Sequence, residues 1–404
     1  SNNELTFKEL DLSGNSLSLS SPTSDLTVSD TVTLNSSAEQ ISAGSATLTL
    51  TGGMTMSGGT LETDGGTISL ASTSTVETDG TLDVSGGTLE LNADLTVTAT
   101  LKTDGDTTLT LNGNTIDFSG GSAASGGTLE VKEALTLDGI TFDDKTTIKL
   151  NDNTTLTSNA ALTVKRVEMG THFLSLGSAT TDLTISDNIT INYSGHNGIH
   201  SGAADLTLNG PVNILNGGIL STGGTVTFAA GADGTSFAED QSGMIIDNSS
   251  LVLQTDLDVD FLRLLGTSTL QTNGKKLSPR NFEIGIQTEL DLTDVVTDND
   301  TSLFLLANSS ITKTGDILLK RFNTNGHTLT LNPSITSLTA EEFYLADYDN
   351  NSSNYLANTG ELLAQGVDVK STKRLWVDKG KIEMGGGTLT LQEGGGLGDS
   401  GDGQ

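Results

Sequence analysis

The sequence predicts an all-β chain wound as a single-stranded parallel β-helix, a β-solenoid of roughly 19 coils that is more irregular in its C-terminal half. Three observations carry that expectation: alternation of apolar and polar residues, Gly- and Asn-rich punctuation every few residues, and a phrase that recurs. "ATLTLTGGMTM" (46–56), "TLDVSGGTLELNADLTVTATL" (81–101) and "TTLTLNGNTIDF" (107–118) alternate with the period of two that belongs to strands. Each run stops at Gly-Gly, Asp-Gly or Asn-Gly, which supply the positive φ of tight turns. Helix signals are nearly absent. The best helical candidate is "TAEEFYLA" (339–346), with Ser337 or Thr339 as its cap.

Repetition decides between a sandwich, a barrel and a solenoid. Ser-Gly-Gly-Thr-Leu-Glu occurs at 57–62, 85–90 and 125–130, with variants "GGTIS" at 65, "GGTVTF" at 223 and "GGGTLTL" at 385. Units of roughly 20 residues account for most of the chain. Each coil would advance one strand spacing, about 4.8 Å, giving a rod on the order of 90 Å. The phrase reads as a corner followed by the start of a strand, and its repetition as a marker of coils. Leu61, Leu89 and Leu129 are predicted to face inward in ladders, with Thr60, Thr88 and Thr128 outward.

Composition agrees with a thin core. Among 404 residues only 34% are hydrophobic and 4% aromatic, while 48 are Gly, which argues against a large globular interior. The absence of Cys excludes disulfides, thiolate metal sites and Cys nucleophiles. With 51 acidic against 19 basic residues the net charge is −32, which disfavours nucleic acid and anionic lipid and suits high salt or divalent cations. No run reaches the roughly 20 apolar residues of a membrane-spanning helix, so no span is expected. The chain begins at Ser1 without an apolar leader and reads as a processed or excised product.

The two halves differ. Of the 19 basic residues, 12 lie between Arg263 and Lys381, and the single Trp and all four Tyr lie beyond residue 190. The expected organisation is a regular solenoid over 1–235, a continuing, decorated solenoid over 236–384, and a Gly-rich terminal strand or tail over 385–404 that could join subunits.

"ADLTLNGPVNILNGGILSTGGTVTFAAGADG" (204–234), with the three copies of the hexapeptide, resembles the passenger regions of bacterial autotransporters and filamentous-haemagglutinin-type adhesins. The resemblance implies an extracellular, bacterial cell-surface location and a role in adhesion or fibre formation. The first functional expectation is therefore a structural protein without catalysis: a self-associating surface fibre or layer subunit, or an adhesin rod, whose partners are other copies of itself. The alternative is an adhesin passenger that binds a host molecule or surface glycans, with Tyr344, Tyr348, Tyr355 and Trp376 stacking on sugars. A third reading is an enzyme acting on polysaccharide. "FDDK" (Asp143, Asp144) and "SGHNGIH" (His196, His200) resemble elements of the polygalacturonase group, but their spacing departs from that pattern and the basic motif expected after the His is missing.

No cofactor is required by any motif, and calcium is the one candidate. Calcium takes several closely spaced oxygen ligands. "DLDVD" offers Asp256, Asp258 and Asp260, which alternation would place on one strand face; "TDNDTS" offers Asp298 and Asp300; "ADYDNNSS" offers Asp347 and Asp349. Neither an EF-hand loop nor a Gly-Gly-x-Gly-x-Asp repeat accompanies them.

Overall fold

A computed structural model describes residues 4–19, 21–77, 79–104, 106–118, 127–193, 198–237, 242–286, 289–345, 347–348, 355–356, 360–377, 380–392 and 396–398. The fold is a β-solenoid of about 17 turns built from parallel strands. The count falls below the 19 expected because some coils carry inserts. Leu82 and Leu101 are ladder neighbours 19 residues apart, whereas Leu101 and Leu129 are separated by 28 and Leu329 and Leu362 by 33. By internal contacts the chain divides into two compact units, residues 1–192 and 193–404.

In the first unit each regular coil contributes three strands of two to four residues, one to each of three parallel sheets. Apolar ladders fill the interior. Ile41, Leu61, Leu82, Leu101, Leu129, Ile148 and Val167 stack on one face, and Leu26, Leu48, Ile68 and Leu89 on another. All are at most 2% exposed, so each contributes about 1.5–3 kcal/mol of burial from a small side chain. The outward neighbours are Thr60, Thr81, Thr100, Thr128 and Thr147, as the alternation predicts.

Two expectations need correction. The copies of the hexapeptide at 57 and 125 feed strands of the same sheet, Thr60–Glu62 and Thr128–Val131, but the copy at 85 feeds Thr88–Leu91 in a different sheet. The phrase therefore marks a kind of corner that recurs on different faces, and does not count coils. The reason is local: Gly66 in the related "DGG" corner packs so closely that a Cβ would stand 2.2 Å from the Ala46 carbonyl, a constraint any coil edge can impose. The second correction is "TAEEFYLA", which is strand rather than helix. Residues 339–345 of it belong to strand Ile335–Leu345, paired in parallel on both sides, with Ala340, Phe343 and Leu345 buried, and Ala346 lies outside the described residues. Two-sided ladder pairing outweighs a weak local helix preference.

The second unit is built differently. Its principal sheet contains β1 (Ser242–Asp247), β2 (Leu257–Gly266), β3 (Leu277–Ile286), β4 (Ser302–Leu305), β5 (Gly315–Asn323), β6 (Ile335–Leu345) and β7 (Asp368–Val377), each parallel to the next. Five of these run 9–11 residues, so one strand spans what two short strands span in the first unit. Short strands such as Ser309–Thr312 and Thr328–Leu331 close the coil. The wider interior takes larger side chains: Leu262, Phe282, Leu303, Phe322, Phe343 and Leu375 form one inward ladder. Phe322 and Phe343 meet edge-to-face at 5.7 Å between centroids.

Candidate functional site: two grooves on the long-strand sheet

The long strands set aromatic side chains among outward charged rungs, whereas the first unit's outward row Lys102, Glu130, Lys149, Glu168 is charged alone. One outward ladder runs Arg263, Glu283, Phe304, Asn323, Tyr344, Trp376; its neighbour runs Phe261, Asn281, Ser302, Arg321, Glu342, Arg374. Parallel pairing in register forces this arrangement, because residues two apart on every strand share a face and stack directly above one another. Nine residues of the two ladders, all but Arg263, Ser302 and Glu342, line a groove of about 630 Å³.

Ion pairs between rungs fix its walls. Arg263 Nε donates to Glu283 Oε2 at 2.5 Å while its guanidinium lies 5.3 Å from the Phe261 ring centroid. Arg321 donates through Nε and Nη2 to Glu342 Oε2 at 3.2 and 3.1 Å and sits 5.5 Å from the Tyr344 ring. The Tyr344 hydroxyl donates to Glu342 at 3.2 Å. Partial burial, reinforced by the Glu342 charge, raises the Tyr344 pKa and keeps it a neutral donor. Glu283, in the groove lining, and Glu342, on the ladder beside it, stand three rungs apart, about 14 Å at one strand spacing per rung, whereas glycosidases hold their two carboxylates within about 5–9.5 Å.

A second groove, about 470 Å³, gathers most of the residues read as calcium ligands. It exists because β4 begins to pair with β3 only at Asn281, leaving Ser278, Pro279 and Arg280 without a β4 partner beside them. Pro279 is tolerated there because no N–H is required of it on that side. Asp258, Asp260, Asp298 and Asp300 line this groove together with Arg280. Asp256 stands apart; its carboxylate accepts the Lys276 N–H at 2.9 Å. The three Asp of "DLDVD" do not form a uniform face: Asp256 and Asp258 are exposed, while Asp260 is 8% exposed and pairs with Arg280 at 3.3 Å. The register of β2 and β3 is constant here, Val259 opposite Pro279 and Phe261 opposite Asn281, but the inward residues Val259 and Leu262 stand three apart, so strict alternation breaks at Asp260. Asp298 closes its own turn, accepting the Asp300 and Thr301 N–H groups at 2.9 and 3.2 Å. Among the described residues no three acidic or His side chains converge as a metal-holding group.

The remaining expected residues are dispersed. Asp347 and Tyr348 form a short strand antiparallel to Tyr355–Leu356, with Tyr348 opposite Tyr355; their side chains, and Asp349 altogether, lie outside the described residues. Of the four aromatics expected to meet sugars, Tyr344 and Trp376 are neighbours on one ladder. Asp143 accepts the Lys145 and Thr146 N–H groups within a turn. His200 is half-buried on strand Ile199–Gly202, and His196 lies outside the described residues.

Sequence reasoning passed over Arg263, Glu283, Phe304, Arg321, Glu342 and Arg374. A signal was present: "DFLRLL", "RNFEI", "SLFLL", "KRFN", "EEFYL" and "KRLWV" superpose on their inward Leu or Phe, and every outward position then falls into these two ladders. The fold defines the chain as a parallel β-solenoid carrying an aromatic and arginine-rich ladder groove. No protein-family model, curated protein or solved structure matches it.

Proposed function

We propose that this solenoid is a non-catalytic extracellular binding protein of the adhesin type, whose long-strand sheet engages a glycan in the groove of Tyr344 and Trp376. One observation supports the reading above the others. Half-exposed aromatic rings alternate with ion-paired Arg and Glu and with Asn side chains, a mixture that offers sugar rings apolar faces and their hydroxyls fixed donors and acceptors. Flexible charged side chains would lose entropy on binding; here Arg263 and Arg321 are held beforehand. A glycan array followed by titration tests the proposal. Replacing Tyr344 and Trp376 together by Ala is expected to weaken the strongest hit about ten-fold or more, since aromatic anchors dominate such contacts. Undiminished binding by that variant would remove the assignment.

A second reading, self-association into filaments or layers, has its own observation. Strand Leu5–Phe7 leaves Leu5 37% and Phe7 48% exposed, and strand Leu389–Leu391 leaves its two Leu 40% and 37% exposed. Unsatisfied strand edges with apolar side chains favour pairing with another strand. Sedimentation velocity over a wide concentration range, with and without calcium, is expected to show growing assemblies; a constant monomer in both would exclude this reading.

A further inference from the structure

The geometry points to an extended linear polysaccharide bearing uronate carboxylates as the ligand of the aromatic groove, lying along the ladders with Arg374 receiving a carboxylate. The inference rests on the glycan-binding reading above and adds the shape and charge of the glycan. Shape comes from the lining. Groove residues come from every strand from β2 to β7, beginning at Phe261 and ending at Trp376, so the groove spans five rung spacings, about 24 Å. A single terminal sugar would fill a small part of that length. A pyranose unit of an extended chain is about as long as one rung spacing, so successive sugars meet successive rungs.

Charge comes from counting how each ion is used. Glu283 is held by Arg263 and Glu342 by Arg321, so both carboxylates are neutralised within the wall. Arg374, exposed at the β7 end, reaches the Tyr344 hydroxyl and forms no ion pair among the described residues. The groove thus carries one cation in excess on a chain whose net charge is −32. Long-range repulsion of a polyanion is screened beyond about 8 Å at physiological ionic strength, so the local balance governs the contact. The guanidinium fork matches a carboxylate bidentately. Beside it, Trp376 offers a ring two residues along the same strand face.

Calorimetric titration of the whole chain with di-, tetra- and hexasaccharides of galacturonate, and with the corresponding cello-oligosaccharides, tests this. Affinity for the galacturonates is expected to rise with length up to about four or five sugars, following the groove. The hexagalacturonate is expected to bind about ten-fold or more tightly than cellohexaose, as a charge-assisted hydrogen bond warrants. Arg374→Gln should erase that preference, and Arg374→Lys should restore part of it. Equal affinity for both series, or indifference to Arg374→Gln, would overturn the uronate assignment while leaving glycan binding intact. Equal affinity for di- and hexasaccharides would overturn the extended orientation. Binding of neither series, together with an empty glycan array, would overturn this inference and the reading it rests on.

Discussion

The two units solve the same packing problem with different side chains. In the first, three short strands per coil enclose an interior filled mostly by Leu, Ile, Val and Met, with Phe118 the one fully buried aromatic among the described residues, and the outward rungs carry Thr beside a charged row of Glu62, Asp83, Lys102, Glu130 and Lys149. In the second, strands of 9–11 residues enclose an interior that takes Phe on successive rungs, Phe282, Phe322 and Phe343, and the outward rungs mix Arg, Glu and Asn with aromatics. A parallel ladder amplifies whatever stands on its rungs, because the same position recurs at each strand spacing. Thr rungs amplify β-propensity and solubility; mixed aromatic and charged rungs build a surface with recognition chemistry. The lesson is that a solenoid can keep its inward ladders apolar while its outward ladders change composition from one unit to the next.

Core substitutions should break the comparison most severely. Phe343→Ala is expected to cost about 3–5 kcal/mol, since the ring is fully buried and contacts Phe322, and Leu101→Ala about 2–5 kcal/mol. Urea unfolding followed by circular dichroism measures both. If Phe343→Ala were silent, the claim that the wider coil depends on its aromatics would fail. A corner glycine comes next. Gly66→Ala would drive a methyl into the Ala46 carbonyl and is expected to cost about 1–3 kcal/mol, whereas Gly113→Ala, with open space around it and a φ of +84°, should cost about 1 kcal/mol.

Two charged groups that brace corners, one in each unit, carry opposite signs and opposite pH dependence. In the first, Glu39 accepts N–H groups of Asn35, Ser36 and Gly14, and these hydrogen bonds lower its pKa below the ordinary 4.5. Its contribution to stability is complete above that ordinary value and lost as pH falls through the lowered one. In the second, the buried ammonium of Lys313 donates to the carbonyls of Leu292 and Val295. Burial lowers its pKa below 10.5, opposed by the charges of Asp294 and Asp291. The unfolded chain then holds that proton more tightly, so this group's term favours the fold increasingly as pH rises from the lowered value toward 10.5. Glu39→Gln should flatten the acid limb of the stability profile and Lys313→Met the alkaline limb. Unchanged limbs in thermal melts across pH would contradict the assignment.

The smallest effect is expected at the ladder ion pairs. Arg263→Met removes a pair whose Arg is 35% and Glu 20% exposed, and should change stability by about 0–1 kcal/mol. A larger loss would mean that the outward ladder supports the fold itself, and the distinction drawn between the two faces would weaken.

Much of the fold was legible because period-two alternation and Gly corners act through neighbours in sequence. Leu61, Leu89 and Leu129 point inward as their alternation requires. What stayed hidden depends on registration between coils. The hexapeptide at 85 looks identical to those at 57 and 125, yet only ladder pairing reveals that it serves another face. "TAEEFYLA" carries helix-forming residues, and only its two ladder neighbours make it a strand. The candidate site was half legible for the same reason. Tyr344 and Trp376 stand out by rarity, but Arg263, Glu283, Arg321 and Glu342 gain meaning only from the rung above or below. Asp258 and Asp260 met Asp298 and Asp300 in one groove, while the ion pair of Asp260 with Arg280 was not visible in local spacing.

Hydrogen-exchange mapping of the whole chain with saturating hexagalacturonate tests the central claim most directly. Slowed exchange is predicted in peptides covering Phe261 to Asn323 and Tyr344 to Trp376, with the Thr-faced strands between residues 26 and 176 unchanged. Protection concentrated on those Thr-faced strands, or no protection in the long-strand sheet, would contradict it.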